Sequence, residues 1–436
     1  MRQQVQTKLT KEQVQTVSLL SLGAFLEHFD KMLHIHMASI LNELFFPTTE
    51  PFLKEFILVF SFCSSYFLTP FGSLFFGYIG DFFGRKTVIV LSSILIAGCS
   101  IVVAFLPTYA QIGIAAPILL TLCRMIQGIS GISEITGVEI YLTESLKPPI
   151  QYSIVALVPA CSMIGSTAAL GIACLFSNVK FFIQDSWRLA FFLGGIIAIV
   201  GFIARRSLKE ASEFTDRQKS LKEQFKKADL KLSKNNQSIN PKIPLSTCLA
   251  YFFINCAKPL CFYFIYFYCG EILKAQFGFT SVQVANNNFW LAMINVAAIL
   301  LVSFLGYKLN IMNIIKCKLF VFSLAIFLFA AFLIDFSNSK ILFLFQCFFV
   351  FTRFDYIPAA PILVKHFPVL KRFKYTSFIR SIAATFTCIV ASFCLMYSTK
   401  KLGSLGILLV FIPFGACFAW GIHYFEKMEK EEKPSS

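Results

Sequence analysis

The sequence predicts an all-α membrane protein of twelve spanning helices in two six-helix halves. Three observations carry that prediction: apolar runs about 20 residues long, Lys and Arg concentrated in alternate connections, and a long polar segment at mid-chain. Composition sets the class. Hydrophobic residues make up 57% of the 436 residues and charged residues 14%, whereas soluble domains carry about 25% charge. The apolar runs are long enough to cross a hydrocarbon core as helix and lack the alternation of a barrel strand.

In chain order the spans are predicted at 17–42, 52–79, 87–106, 113–142, 151–176, 187–204, 244–270, 283–306, 317–335, 341–364, 375–398 and 403–425. Of the 39 Lys and Arg, counting Lys54, Arg188 and Lys318 at span edges with the adjoining connections, 27 lie in the tails and even-numbered connections and seven in the odd-numbered ones. Because cytoplasmic loops retain Lys and Arg, both termini are expected on the cytoplasmic side. The net charge of +16 then reflects topology and attraction to anionic membrane lipid, with no nucleic-acid partner required. The opening MRQQVQTKLTKEQVQTV lacks the small-residue cleavage site of a signal peptide, so the first span is expected to be retained. The 14 Cys fall within or beside spans without C-x-x-C pairs or a neighbouring His. They are expected to be small apolar fillers, with no metal site and no cofactor.

The longest polar segment, RRSLKEASEFTDRQKSLKEQFKKADLKLSKNNQSINPK at 205–242, divides the chain into residues 1–204, a linker at 205–243, and residues 244–436. Two such halves match transporters built from repeats, with the solute site where the repeats meet. Between spans two and three lies GYIGDFFGRK, 77–86, and the corresponding GYKLNIMNIIK, 306–316, keeps the first Gly and a terminal Lys but has Asn310 and Asn313 where the first has Asp81 and Gly84. In the first copy Gly77 and Gly84 permit a tight turn, while Asp81, Arg85 and Lys86 can make charge-assisted contacts. An ordinary cytoplasmic loop would also carry such residues.

The stretch LEHFDKMLHIH, 26–36, places Glu27, Asp30, Lys31 and His34 inside an apolar run. At 100° per residue the four fall within an arc of roughly 100°, forming one polar stripe. An Asp or Lys at a helix centre costs about 2.5 to 3.5 kcal/mol to insert, so the stripe must face partners or a watery cavity. Glu27 and Lys31, spaced i and i+4, can simply neutralise each other as a packing pair. Asp30 and His34 share that spacing and suit a proton relay near neutral pH. His28 and His36 point away from the stripe. Span four presents a second stripe of Arg124, Gln127, Gly128, Gly131 and Glu134 over about 120°. Arg124 suits a solute carboxylate, and Glu134 suits a proton or Lys31; an internal Arg to Glu lock is the alternative. In span ten a continuous helix would point Arg353 and Asp355 to nearly opposite sides, so that they do not pair, and Pro358 and Pro361 favour a kink. Arg353 or Arg380 is the natural cation to meet an acid of the first half. Lys258 precedes Pro259 in span seven, and Asn286, Asn287, Asn288 and Asn295 lie near span eight.

GYIGDFFGRK resembles the G-x-x-x-D-R-x-G-R-[RK] signature of the major facilitator superfamily, with Phe82 in place of its first Arg. Four further stretches resemble the metabolite:proton symporters of that superfamily: GAFLEHFDKMLHIHMASILNELFFP at 23–47, RMIQGISGISEITGVEIYLTES at 124–145, WRLAFFLGG at 187–195 and RSLKEASEF at 206–214. This bacterial family includes proline/betaine, 2-oxoglutarate, citrate and shikimate transporters. The resemblance implies the major facilitator fold, a bacterial inner-membrane location, and a gate latch in which Asp81 faces span eleven and Arg85 reaches Glu144.

The function expected is secondary active transport, a proton-coupled symport of a small organic solute by alternating access. Glu27, Asp30, His34 and Glu134 are the proton-coupling candidates; Lys31, Arg124, Gln127, Arg353 and Arg380 are the solute-binding candidates. A uniporter, or a transporter-fold nutrient receptor without uphill transport, would share these stripes. No G-x-x-x-x-G-K-[ST] motif is present to harness ATP, and no nucleophile, base and oxyanion arrangement marks an enzyme. His28 and Lys31 stand where the family has aromatic residues, which favours an anionic or zwitterionic solute over a quaternary ammonium.

Overall fold

The computed structural model describes residues 6–46, 68–178, 186–211, 214–216, 218–220, 243–332 and 338–432. Twelve long helical segments fill them: α1 Lys11–Phe45, α2 Thr69–Phe82, α3 Arg85–Phe105, α4 Ala115–Ser145, α5 Ile150–Asn178, α6 Ser186–Arg205, α7 Leu245–Phe277, α8 Ser281–Lys308, α9 Ile311–Phe332, α10 Ser339–Lys365, α11 Val369–Leu402 and α12 Leu405–Glu432. They follow the twelve predicted spans, except that residues 52–67 of the second and 333–335 of the ninth lie outside the described residues. Among the described residues, nine helices are long and apolar enough to cross a membrane. Most of the central linker likewise lies outside the described residues.

Two compact units result. One comprises Leu9–Val138 and Leu157–Lys209; the other comprises Met1–Lys8, Glu139–Ala156 and Glu210–Ser436. The end of α4 and the start of α5 therefore pack with the C-terminal residues.

In the first unit α1 and α3 to α6 share an apolar core around Phe29, Leu33, Phe45, Val103, Trp187 and Phe191. The WRLAFFLGG stretch acquires a local reason here. Trp187 is buried edge-on against Phe45, with ring centroids 5.8 Å apart, while the neighbouring Arg188 donates to the Ala104 and Leu106 carbonyls at 3.0 and 2.8 Å. Those carbonyls end α3, where no intrahelical donor remains. The α2–α3 turn needs Gly84 in particular, because its φ of 108° is closed to residues bearing a Cβ.

The second unit spends the chain's abundant Phe on its core. Phe264, Phe322, Phe329, Phe349 and Phe411 meet edge-on or tilted at centroid distances of 4.9 to 5.6 Å, a geometry favoured by ring quadrupoles. Two helices of this unit are interrupted. Pro259 sits inside α7 and withholds an amide from the turn before it, and the helix widens into a π segment over Tyr263–Tyr268. Within α10 the first helix stops at Thr352, Arg353 is extended (φ −45°, ψ 132°), and a 3-10 turn at Ile357–Ala359 precedes a last helix at Ala360–Lys365. Pro358 and Pro361 cannot donate to the preceding turn, so helix does not run through.

Candidate functional site

The first unit holds a buried polar chain across three helices. Asp30 of α1 accepts a short hydrogen bond from Ser100 of α3. Ser100 accepts in turn from Gln127 Nε2 at 3.2 Å, and the Gln127 Oε1 accepts from Arg124 Nη1 at 2.9 Å, both on α4. All four are buried. Ser100 also lies 3.0 Å from the Ile96 carbonyl. A hydroxyl has one proton, so Ser100 donates either to ionised Asp30 or to Ile96. A protonated Asp30 can donate back to Ser100, which reverses the bond without moving a heavy atom.

A second buried cluster lies about two helical turns along from this chain, with Glu134 seven residues beyond Gln127 and Ser93 seven before Ser100. Glu134 of α4 meets Arg205 of α6 at 2.6 Å, with both side chains 2% exposed. Arg205 also donates to Ser93, and Ser92 donates to Glu134 at 3.4 Å. A Cβ on Gly23 of α1 would fall 0.9 Å from the Arg205 guanidinium, so only Gly leaves room there. Glu27 lies against His28 Nδ1 and lines a cleft of about 220 Å³ with Glu134 and Arg205.

Three expectations for this unit need correction. Arg205, predicted as the first residue of a cytoplasmic linker, ends α6 and turns into the protein to meet Glu134. It takes the place expected for Lys31, which is half-buried on α1. His28 contacts Glu27 instead of pointing away. His34 forms no bond with Asp30: among the described residues its Nδ1 has no hydrogen-bond partner, and its ring sits edge-on to Phe191 at 6.0 Å. Asp30 finds a better-placed hydroxyl across the helix interface. The side chain of His36 lies outside the described residues.

In the signature stretch, Gly77 is buried on α2. Arg85 is fully buried and donates to the Gly80 carbonyl at 2.5 Å, with Asp81 Oδ1 at 3.2 Å. It thus closes the end of α2, where carbonyls lack helical donors. Lys86 follows, half-buried.

The second unit brings the remaining charges together. Arg380 of α11 meets Glu139 at 2.7 Å, receives Tyr251 and Asn255 as neighbours at 3.1 and 3.3 Å, and stacks over Tyr356. Arg372 meets Glu144 at 2.9 Å. Arg353 and Asp355 do pair, at 3.0 Å, contrary to the helical projection. The projection assumed 3.6 residues per turn where the chain is not helical. Lys318 of α9 reaches the same Asp355 at 3.3 Å. Beside the α10 break opens a cleft of about 310 Å³ whose polar lining is Asn295, Lys318, Arg353 and Asp355. Non-helical backbone at membrane depth is tolerated only where protein or a cavity surrounds it, and such breaks mark solute sites in transporters. Asn287 and Asn288 are spent on Gln346 and the Tyr266 carbonyl.

A family model of the Major Facilitator Superfamily matches residues 20–363. The proline/betaine transporter of Salmonella typhimurium is 30% identical over 201 residues, covering 45% of this chain and 40% of that protein. The glycine betaine/proline/ectoine/pipecolic acid transporter of Dickeya dadantii is 29% identical over 201 residues, again 45% and 40%. The match thus spans about two fifths of the length of these relatives. Among solved structures, the proton:xylose symporter XylE bound to 6-bromo-6-deoxy-D-glucose superposes with a TM-score of 0.73 at 14% identity, covering 95% of each chain. The human organic anion transporter MFSD10 gives 0.65 at 13%, covering 96% and 100%. At such identities the structural likeness speaks for fold. The chain belongs to the Major Facilitator Superfamily.

Proposed function

We propose that the protein is a proton-coupled symporter of a small organic solute, working by alternating access. The observation that carries this reading is the buried chain from Asp30 through Ser100 and Gln127 to Arg124. A carboxylate inside the membrane is costly unless it has partners or a task, and this one sits where gaining a proton reverses its hydrogen bond. Asp30 is the primary proton site. Glu134, held by Arg205, and Glu27, beside His28, are the carboxylates that exchange protons with it, and His34, four residues beyond Asp30 on α1, is the remaining proton-coupling candidate. Arg124 and Lys31 supply positive charge for the solute in this unit, with Gln127 orienting Arg124.

The relatives named as proline/betaine transporters support a small metabolite as cargo. Arg380 and Arg372, committed to Glu139 and Glu144, act as conformational locks, and Asp81, Arg85 and Lys86 form the gate of the signature motif. The Lys and Arg distribution supports cytoplasmic termini in a bacterial inner membrane.

Proteoliposomes holding the purified protein, given an imposed pH gradient and a panel of labelled amino acids, betaines and carboxylates, test this reading. Wild type should accumulate one solute uphill. Asp30→Asn should lose accumulation yet retain solute exchange. Unchanged accumulation in Asp30→Asn removes Asp30 from coupling. Entry that only equilibrates would identify a uniporter, and binding without entry a receptor.

A further inference from the structure

Gln6, ahead of α1, is joined to the turn between α4 and α5. Its amide N–H donates to the Pro148 carbonyl at 2.8 Å, its carbonyl accepts from the Ile150 amide at 3.4 Å, and its Oε1 accepts from the Lys147 amide at 3.1 Å. These contacts form an isolated parallel bridge between Gln6 and Pro149. The turn offers these groups for a physical reason. Proline has no N–H, so Pro148 and Pro149 contribute carbonyls only, while Ile150 opens α5, where an N–H has no helical acceptor.

The same turn is clasped by α10 and α11. Gln151 Oε1 accepts from Lys365 at 3.3 Å, and Glu144 accepts from Arg372 at 2.9 Å. Gln151 Nε2 stiffens the turn by donating to the Thr143 and Leu146 carbonyls at 2.6 and 2.8 Å. Phe367, Arg372 and Phe373 are buried in this region. All of these residues, with Gln6, belong to one compact unit.

Four residues after Gln6 the chain enters α1 through a capping box. Thr10 Oγ1 accepts from the Gln13 amide at 3.2 Å, and Gln13 Oε1 accepts from the Thr10 amide at 3.0 Å. Fully extended, the connection from Gln6 to Thr10 spans at most about 14 Å. The helix that carries Asp30 is thus tied to the α4–α5 turn by a tether with little slack. The tie is also reversible: the bonds of Gln6 lie where water can replace them, so breaking them leaves no buried group without a partner.

We propose that residues 6–10 are a conformational strap, which when docked on Lys147–Ile150 holds the α4–α5 turn in the clasp of α10 and α11 and which lifts off when the clasp opens. The purpose of the strap rests on the alternating-access reading, because that is the cycle in which the clasp opens. The docking itself is independent of what is transported.

Hydrogen exchange of the full-length protein in proteoliposomes, read at the amides of 143–152 and 365–373, tests the strap. Gln6→Pro removes the amide donor and the side-chain acceptor together. It should speed exchange at least threefold in both segments, since an unstrapped clasp opens more often; Gln6→Ala, which keeps the main-chain bonds, should fall between. Gln6→Cys combined with Lys147→Cys, oxidised to a disulfide with copper phenanthroline, should slow exchange at 365–373 at least threefold below wild type. Dithiothreitol should restore it, and each single Cys variant controls for the native thiols. Faster exchange in Gln6→Pro confined to 143–152 makes Gln6 a passive attachment and overturns the proposal, as does unchanged exchange at 365–373 in fully cross-linked protein. These rates are read without added solute, so solute entry uncoupled from protons would remove symport and leave the strap in place.

Discussion

Arg205→Met isolates the contact that ties α6 to α4. The wild-type guanidinium and the Glu134 carboxylate are 2.6 Å apart, each side chain 2% exposed. Methionine keeps the apolar stem and removes the charge. Glu134 is then left with Ser92, a 3.4 Å neighbour. Removing one partner of a buried ion pair typically costs about 3 to 5 kcal/mol, because the remaining charge stays desolvated. Replacing both partners by neutral groups is far milder, so Arg205→Met with Glu134→Gln should recover most of the loss. Denaturant unfolding in detergent measures both. For a unit of this size the single variant should also lower the unfolding temperature by on the order of 10 °C. The reasoning fails if Arg205→Met costs under about 1 kcal/mol, or if the double variant is no more stable than the single one.

Gly23→Ala probes the same contact from α1. Its new methyl claims the space of the guanidinium, so it should cost about 1 to 3 kcal/mol by overpacking, and combining it with Arg205→Met should be less than additive in unfolding measurements. Ser100→Ala removes the hydroxyl that joins Asp30 to Gln127. It should cost about 1 to 3 kcal/mol, the penalty of leaving buried polar atoms short of partners, and lower proton-driven uptake in proteoliposomes; wild-type stability and uptake together would remove Ser100 from the chain.

The helices were legible because hydrophobic length is a direct physical requirement of the membrane. Thus 113–142 and 151–176 fall within a few residues of α4 and α5. The stripe on α1 was legible for the same reason: charge in an apolar run must be compensated, and Asp30, Glu27 and Arg124 are all buried in polar surroundings. Their partners were not. Ser100, inside ILIAGCSIVV, looks like any small residue of a spanning helix, and nothing in its spacing announces that it faces Asp30 seventy positions away. Arg205 is masked by Arg206 and the polar run after it, which read together as loop. The available signal was Glu134, a buried acid in need of a cation. Arg353 and Asp355 failed for another reason. Helical periodicity was extended through FDYIP, although Pro358 already deprives that turn of an amide.

Proton flux measured together with solute entry bears most directly on Asp30 as the coupling site. In proteoliposomes loaded with a pH-sensitive dye, adding the transported solute outside should acidify the lumen in step with its uptake, and Asp30→Asn should abolish the acidification while exchange continues. Solute entry at the wild-type rate with no change in lumenal pH, once the proton permeability of the vesicles is shown to be low, would contradict the coupling assigned to Asp30.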